Sequence, residues 1–418
     1  MRGAKRRRRL AAAMGAALVA VPVLAACGSG DGGITVNVYK YNQENFQAIV
    51  DGCNAKANGK YKIVYNKLPR EADGQREQMV RRLAAEDDSM DVLALDVTWT
   101  AELAKAGWIK EFTGSVKSQV ENGTIQTPLD TASYEGKLYG APDNTNVQLL
   151  WYRGDLVPTP PKTWDEMIQM AEDLVAQGKP GLIAAQGKQY EGLVVLFNTL
   201  VNSNGGTILD ENGTKAIVDD KAVEALEALK KLATSKAIDP SFSNSTEDPA
   251  RLLMESGKAA FQLNWPYVYA AAQKKPDFAA NFKWAPYPTV SGDKSKVTVG
   301  GINYAVSNYT LHPDESFEAV LCLRGAESQK LAAIKDGVPP TLKEVYDDPE
   351  MATAYPMKDA ILETLENASV RPRTPAYQNV STVISTILSP PGSIDPKATG
   401  DRLRTELQNA LDSKGVLP

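Results

Sequence analysis

The sequence predicts an α/β protein with two lobes, each built on a mainly parallel β-sheet with helices on both faces. Three observations support this prediction. Apolar residues switch repeatedly between the spacing of a strand and that of a helix. The same alternation starts again after Asn146. The 418 residues also exceed what a single hydrophobic core usually supports.

The first unit begins at Ile34 with a strand and then alternates helix and strand. Its predicted strands cover residues 34–38, 63–65 and 90–95. Three helices are predicted between and after these strands. Apolar residues at helical spacing mark the first two: Phe46, Ile49, Val50 and Cys53, then Met79, Val80 and Leu83. The third helix is predicted to end at Gly107. In sheets of this kind ligands bind beyond the carboxyl ends of the strands, where Asn42 and Asp96 lie.

The second unit contains clearer helix signals. Thr163 followed by Glu166 forms a capping box at the start of a helix. A later helix is predicted to open at Asp248 and to close at Gly257. The strand that follows, residues 259–264, runs directly into Trp265, which therefore stands at a strand-to-helix turn on the rim of a second sheet.

Residues 297–306 are predicted to form a strand interrupted by Gly300 and Gly301. Glycine inside a strand often marks a bend or a close approach of the backbone to a ligand. Both interpretations fit a chain that crosses between two lobes. A helix with Phe317, Val320 and Leu323 on one face follows this strand.

The amino-terminal residues have the features of an export signal. Six basic residues precede an apolar run over 10–24, which is too short to span a membrane. The run ends in Leu-Ala-Ala-Cys, so residues 1–26 are predicted to be a lipoprotein signal peptide and Cys27 the lipidated mature end. Residues 27–33 would form a flexible tether. An ordinary cleavage site with a chance cysteine is the alternative, and the arginines leave the Sec and twin-arginine routes open.

Composition excludes several classes of partner. Removal of residues 1–26 shifts the formal net charge from −5 to −11, which disfavours nucleic acid and anionic lipid surfaces. We therefore expect membrane attachment through a lipid anchor only. The single His312 and two remaining cysteines provide no metal-binding cluster, so neither a metal nor a cofactor is expected. Cys53 and Cys322 form either a disulfide or two free buried thiols.

Six stretches carry a resemblance to a known family: DVLALDVTW (91–99), NTNVQLLWY (144–152), GLVV (192–195), NWPY (264–267), GGIN (300–303) and VRPRTPAYQ (370–378). With the cysteine positions, they resemble the extracellular solute-binding proteins of sugar ABC importers, the group that contains the maltose-binding protein. Within that group the chain most resembles the mycobacterial trehalose-recycling lipoproteins.

This resemblance implies a periplasmic-binding-protein fold whose two lobes close on a sugar by a hinge motion. Lobe 1 would comprise residues 33–144 and 298–340, and lobe 2 residues 145–297 and 341–418. The implied function is capture of a disaccharide, trehalose in the first place, for delivery to ABC permease subunits. The protein would be a monomer without enzymatic activity, held on the outer face of the cell membrane.

The resemblance also implies a set of sugar-binding residues. Carboxylates, amides and arginine would bind hydroxyl groups, and an aromatic ring would stack on the sugar. The set consists of Asp96, Asn146, Glu247 and Arg371 as polar groups, Trp265 and Tyr267 as aromatic groups, and Gly301 and Ile302 as backbone contacts. Where the mycobacterial proteins have an aspartate after the first strand, Asn42 or Gln43 would substitute, which affects selectivity for trehalose.

Five of these residues also have a simpler interpretation. Asp96 could cap the following helix, and Asn146 could satisfy a crossing strand. Glu247 could lie in a solvated loop, Trp265 in the core and Arg371 on the surface. Three other functions also remain as alternatives: a glycosidase with Asp96 and Glu247 as its carboxylates, a surface adhesin or sensor, and an importer component for maltose or another glucoside.

Overall fold

A computed structural model of the chain describes residues 33–291 and 294–414. The predicted signal peptide, the lipidation site Cys27 and most of the predicted tether lie outside the described residues. Among the residues that are described, no helix is both long enough and apolar enough to cross a membrane.

The first part of the described chain alternates strands and helices, as the apolar spacing predicts. Its elements in chain order are β1 (Ile34–Tyr41), α1 (Phe46–Ala57), β2 (Tyr61–Leu68), α2 (Ala72–Ala84), β3 (Val92–Asp96), α3 (Thr100–Lys105), α4 (Gly114–Glu121), α5 (Gln126–Thr131), β4 (Ser133–Tyr134), β5 (Lys137–Leu138) and β6 (Ala141–Asn146). The helical spacing identified the buried face of α1, which consists of Phe46, Ile49, Val50 and Cys53.

The second part builds another α/β unit. Its elements are β7 (Leu149–Arg153), α6 (Trp164–Ala176), β8 (Leu182–Ala184), α7 (Glu191–Ser203), α8 (Asp220–Thr234), α9 (Glu247–Glu255), β9 (Ala259–Asn264), α10 (Tyr267–Gln273), α11 (Pro276–Ala279) and β10 (Phe282–Ala285). The capping box at α6 is confirmed, because Thr163 accepts a hydrogen bond from the Glu166 backbone and the Glu166 side chain accepts one from Thr163.

The third part adds one strand and then only helices. Its elements are β11 (Gly300–Val306), α12 (Pro313–Leu323), α13 (Ala326–Asp336), α14 (Lys343–Asp347), α15 (Pro349–Ala354), α16 (Lys358–Glu366), α17 (Tyr377–Leu388) and α18 (Pro396–Leu411). The predicted strand over 297–306 thus begins at Gly300, and Thr298 forms only an isolated bridge with Ser369.

The two main sheets confirm the α/β class but are mixed rather than mainly parallel. Their orders are β2-β1-β3-β11-β6 and β10-β7-β9-β8. One strand in each sheet, β11 or β7, runs antiparallel to both of its neighbours. The reason is the chain path. The chain passes from one sheet to the other at the edge where the parallel strands end. β11 and β7 therefore each begin at that edge of their own sheet and run in the opposite direction.

The central strands are buried on both faces, which explains their nearly continuous apolar sequence. Val92, Leu93, Ala94 and Leu95 of β3 are all fully buried. Val92 and Ala94 pack in one apolar cluster, whereas Leu93 and Leu95 pack in another on the opposite face. Charged or polar side chains on this strand are therefore confined to its end, at Asp96.

Cys53 of α1 and Cys322 of α12 form a disulfide in the structure, with their Cα atoms 5.8 Å apart. The two residues are 269 positions apart in the sequence. The bond joins a helix near the start of the first sheet to a helix that follows β11. It therefore links the first and the third parts of the described chain.

Candidate functional site

The ends of three neighbouring strands form the floor of the candidate site. β3 ends at Asp96, β6 ends at Asn146, and β11 begins between them at Gly300. The strand register places Ile302 opposite Asp96 and Gly300 opposite Asn146. The structure thus brings the predicted residues Asp96, Asn146, Gly301 and Ile302 together, although they are far apart in the sequence.

The two glycines of β11 have different steric roles. Gly301 has a φ of +136°, and a Cβ atom there would lie 2.4 Å from the Asn144 carbonyl oxygen. At Gly300 a Cβ atom would lie 3.0 Å from Cη2 of Trp265. Gly301 therefore permits close pairing with β6, whereas Gly300 leaves room for the indole ring. The predicted platform Trp265 consequently lies directly against the floor.

Asp96 does not cap the next helix. One of its carboxylate oxygens, Oδ1, accepts hydrogen bonds from the backbone and hydroxyl of Thr98, at 3.1 and 2.9 Å. The same oxygen lies 3.2 Å from Nη2 of Arg371. Helix α3 begins later, after Trp99, and has no side-chain cap. Within the described residues Oδ2 makes no hydrogen bond, so one oxygen of Asp96 can still receive a ligand hydroxyl.

Arg371 is a buried clamp, which excludes the interpretation as a surface arginine. Its side chain is only 3% exposed and connects Asp96 at the end of β3 to Glu191 at the start of α7. Nη1 donates to Glu191 Oε1 at 2.5 Å, and Nη2 also approaches the Val299 carbonyl oxygen at 3.4 Å. Its Nε is buried and has no partner in the described chain. We call Asp96, Arg371 and Glu191 the floor cluster.

Glu191 was not identified from the sequence, although it holds the floor cluster together. It is the first residue of α7 and also accepts hydrogen bonds from the hydroxyls of Tyr377 and Ser381. Burial raises the pKa of Glu191, and Arg371 opposes that rise. Burial disfavours the charge on Arg371, but the two carboxylates nevertheless raise its pKa overall. An acidic residue directly before the apolar run 192–197 was the signal that could have revealed it.

Trp265 and Glu247 lie at the ends of two elements of the second part of the chain, β9 and α9. The fully buried Asn264 fixes both, because its Oδ1 accepts from the Trp265 backbone at 2.9 Å and its Nδ2 donates to the Glu247 carbonyl at 3.0 Å. The loop interpretation of Glu247 is wrong, since α9 begins at this residue, one position before the predicted start. An acidic side chain is stabilised in a first helical turn by the helix dipole.

Glu247 stands in a group of side chains that surround its carboxylate. Burial raises the pKa of Glu247, whereas the hydroxyl of Tyr190 and the indole of Trp265 lower it by facing the charged form. Tyr267 lies close by and donates a hydrogen bond from its hydroxyl to Asp248 at 3.1 Å. These residues form the aromatic and acidic side of the cleft.

The two amides that follow β1 differ in their surroundings. Asn42 is exposed, whereas Gln43 is 5% exposed and donates to Asp336 at 2.8 Å. The side-chain oxygen of Gln43 is buried without a partner in the described chain, and so is Oδ1 of Asn146. Buried polar atoms are normally hydrogen-bonded, so unpartnered atoms in a cleft are candidates for ligand contacts. Of the two amides, Gln43 has the more constrained geometry.

Comparisons with known proteins agree with this geometry. The chain belongs to the family of bacterial extracellular solute-binding proteins, whose family model matches residues 39–330. A Deinococcus radiodurans protein described as a probable ABC transporter-binding protein is 32% identical to it over 340 residues, which cover 76% of this chain and 79% of that relative. The family description places such proteins outside the cytoplasm, in agreement with the predicted export signal.

Two solved structures share the fold. Maltose-bound MalE3 of T. maritima has a TM-score of 0.83 and 25% identity, over 90% of this chain and 99% of that chain. An ABC transporter solute-binding protein from Thermotoga lettingae, bound with α-D-tagatose, has a TM-score of 0.82 and 20% identity, over 90% of this chain and all of that chain. These likenesses confirm the predicted two-lobed periplasmic-binding-protein fold.

Proposed function

We propose that this chain is the substrate-binding lipoprotein of a bacterial ABC sugar importer and that it binds a disaccharide between its two lobes. The observation that carries the proposal is the convergence at one cleft of Asp96, Asn146, Glu247, Arg371 and Trp265. Such a set offers directional partners for hydroxyl groups beside an aromatic face. Unpartnered buried atoms on Asn146, Gln43 and Arg371 add support. The family and the maltose complex of a relative agree with a sugar ligand.

Trehalose is the disaccharide we propose first. The support is the sequence resemblance to the mycobacterial trehalose lipoproteins over the six stretches around the cleft. Maltose or another glucoside is the alternative ligand, because an amide replaces the aspartate that follows the first strand in those proteins. Gln43, held by Asp336, is the residue we expect to decide between these ligands.

Isothermal titration calorimetry of the purified protein against trehalose, maltose, longer glucans and monosaccharides tests the ligand. We expect the tightest binding for trehalose. Tight maltose binding without trehalose binding would rule out trehalose and retain the importer role. Absence of binding to every sugar in the panel would contradict the whole proposal.

A glycosidase would use the same carboxylates, so the two functions need a separate experiment. We expect no glucose release when the protein is incubated with trehalose. Release that is abolished in Glu247→Gln would favour the enzyme. Permease genes beside this gene would favour import over the role of an adhesin or sensor.

The remaining parts of the proposal concern anchoring and assembly. We propose lipidation at Cys27, permease subunits as partners, and a monomeric receptor with lobes at 33–144 with 298–340 and at 145–297 with 341–418. The division of β1, β2, β3, β6 and β11 from β7 to β10 into separate sheets supports these boundaries. A Cys27→Ala variant should be released into the medium, and light scattering of that form should give a monomer mass.

A further inference from the structure

Tyr190 occupies a specific position at the start of α7. It precedes the helix directly, and its side chain lies back over the first turn. A Cβ atom at Gly192 would lie 2.1 Å from the phenol oxygen of Tyr190 and 2.2 Å from its Cζ. Any side chain at residue 192 would therefore displace the ring. The glycine of the GLVV stretch thus has a local physical reason, which is to leave space for Tyr190.

The phenol group of Tyr190 is buried beside acidic groups. The residue is 6% exposed, and its oxygen has no hydrogen-bond partner in the described chain. It lies close enough to the Glu247 carboxylate for the two groups to shift each other's pKa. Burial, followed by the negative charge of Glu247, raises the pKa of Tyr190 well above its ordinary value. The phenol therefore stays protonated and can act as a hydrogen-bond donor at any physiological pH.

A second tyrosine shows that a buried hydroxyl without a hydrogen-bond partner is not by itself sufficient evidence of a ligand site. The Tyr287 hydroxyl is also buried without a partner in the described residues. Its ring packs against the core residue Trp164, with ring centroids 5.8 Å apart, and burial is the only cause that raises its pKa. Tyr190 differs because it neighbours the Glu247 carboxylate, whose pKa both the Tyr190 hydroxyl and the Trp265 indole lower.

We propose that Tyr190 is a specificity-determining ligand residue, which binds the same sugar hydroxyl as Glu247. A hydroxyl group can donate one hydrogen bond and accept others. The ligand hydroxyl would donate to the Glu247 carboxylate and accept from the phenol of Tyr190. A sugar that lacks this hydroxyl would leave the buried phenol and the half-buried carboxylate without this partner, which is how polar sites reject incorrect ligands. This inference rests on the proposed function.

The test compares Tyr190→Phe with the matched control Tyr287→Phe. Both variants remove one buried hydroxyl and keep the ring. Calorimetric titration with trehalose should show at least tenfold weaker binding for Tyr190→Phe and unchanged binding for Tyr287→Phe. Thermal unfolding should show that both variants stay folded. If trehalose does not bind the wild type, the titration uses the disaccharide of the panel that does.

Monodeoxy analogues of the bound disaccharide separate direct contact from positioning of Glu247. Wild-type protein should lose affinity for one analogue, and Tyr190→Phe should discriminate against that analogue less than the wild type does, because only the contact with Glu247 is left to lose. Equal trehalose affinity of Tyr190→Phe and wild type would overturn the assignment and leave the proposed function intact. A uniform loss across all analogues would also overturn it, in favour of a purely positioning role. Failure of the wild type to bind any sugar would overturn both proposals.

Discussion

Two sets of ion pairs join the first part of the described chain to later parts, and their surroundings differ greatly. The floor cluster is buried, with 3% exposure for Arg371, 10% for Glu191 and 19% for Asp96. The second set is exposed to solvent and consists of Arg70 with Asp248, Glu71 with Lys188, and Glu44 with Lys274. We call these three the rim pairs. Their side chains are between 34% and 70% exposed.

The difference shows that similar contacts can have very different energies. At the rim, water solvates each charge when a pair opens, so an exposed pair contributes only about 0–1 kcal/mol. On the floor, loss of one partner leaves a buried charge without compensation, which costs about 3–5 kcal/mol. We infer that the floor cluster holds the lobes in register, whereas the rim pairs adjust the ease of closure.

The largest effect is expected for Arg371→Met. The buried Glu191 and the half-buried Asp96 would then lose the positive charge that pairs with both, and we expect the free energy of unfolding to fall by about 3–5 kcal/mol. Urea unfolding measures this change. The double variant Arg371→Met with Glu191→Gln should recover part of the loss, because one unpaired charge is removed. If Arg371→Met is as stable as the wild type, Arg371 does not stabilise the fold by holding Asp96 and Glu191 together.

Trp265→Ala should have the next largest effect, on sugar binding. The ring is only partly buried and packs on Gly300, so the fold should survive. We expect at least tenfold weaker binding, about 1.4 kcal/mol, in calorimetric titration. Trp284, a partly buried tryptophan of β10 that packs on Tyr269, is the matched control. Equal affinity losses for Trp265→Ala and Trp284→Ala would count against a stacking platform.

Rim substitutions should change affinity less. Lys188→Glu repels Glu71, and we expect a loss of up to about 1 kcal/mol, which is less than tenfold in affinity. The swap Lys188→Glu with Glu71→Lys should restore binding, and added salt should reduce the difference. Lys231→Glu, in an exposed pair with Asp165 inside the second lobe, is the control and should bind normally. A tenfold loss of affinity in Lys188→Glu would contradict the inference that the rim pairs contribute less than the floor cluster.

The smallest expected effect concerns how the stability of the fold changes with pH, which should have opposite signs for Glu191 and Glu44. Burial raises the pKa of Glu191 above 4.5, so its charge opposes folding as the pH rises above 4.5. Lys274 lowers the pKa of Glu44 below 4.5, so Glu44 stabilises the fold as the pH rises towards 4.5. Relative to wild type, Glu191→Gln should therefore gain stability with rising pH and Glu44→Gln should lose it. Thermal unfolding across the acidic range measures both, and slopes of equal sign would refute the prediction.

Local sequence patterns predicted much of the fold and part of the site. The capping box at Thr163, the apolar face of α1 and the glycine after α9 are formed by residues within one or two helical turns of each other. The same holds for the strand ends that present Asp96 and Trp265, since a strand and its end can be located from spacing alone. For these features the physical cause lies in neighbouring residues, so the sequence was sufficient.

The sequence could not reveal interactions that depend on which distant segments meet. Asp96 and Arg371 are 275 positions apart, and Arg371 and Glu191 are 180 positions apart. The reversal of β7 and β11 follows from the path of the chain between the sheets, and it made the sheets mixed. Burial of Arg371 likewise arises only when segments far apart in the chain have packed together.

The sequence by itself therefore determined the α/β class and the alternation of elements, because both depend on local spacing, and it placed Asp96 and Trp265 at strand ends. The polar residues Asn146, Glu247 and Arg371 were suggested only by the resemblance to a known family. The tertiary structure alone decided that Glu191 joins the floor cluster, that Gly300 lies under Trp265 and that Gln43 rather than Asn42 is buried. These outcomes depend on packing between segments far apart in the chain, where burial and partner choice are set by the whole fold.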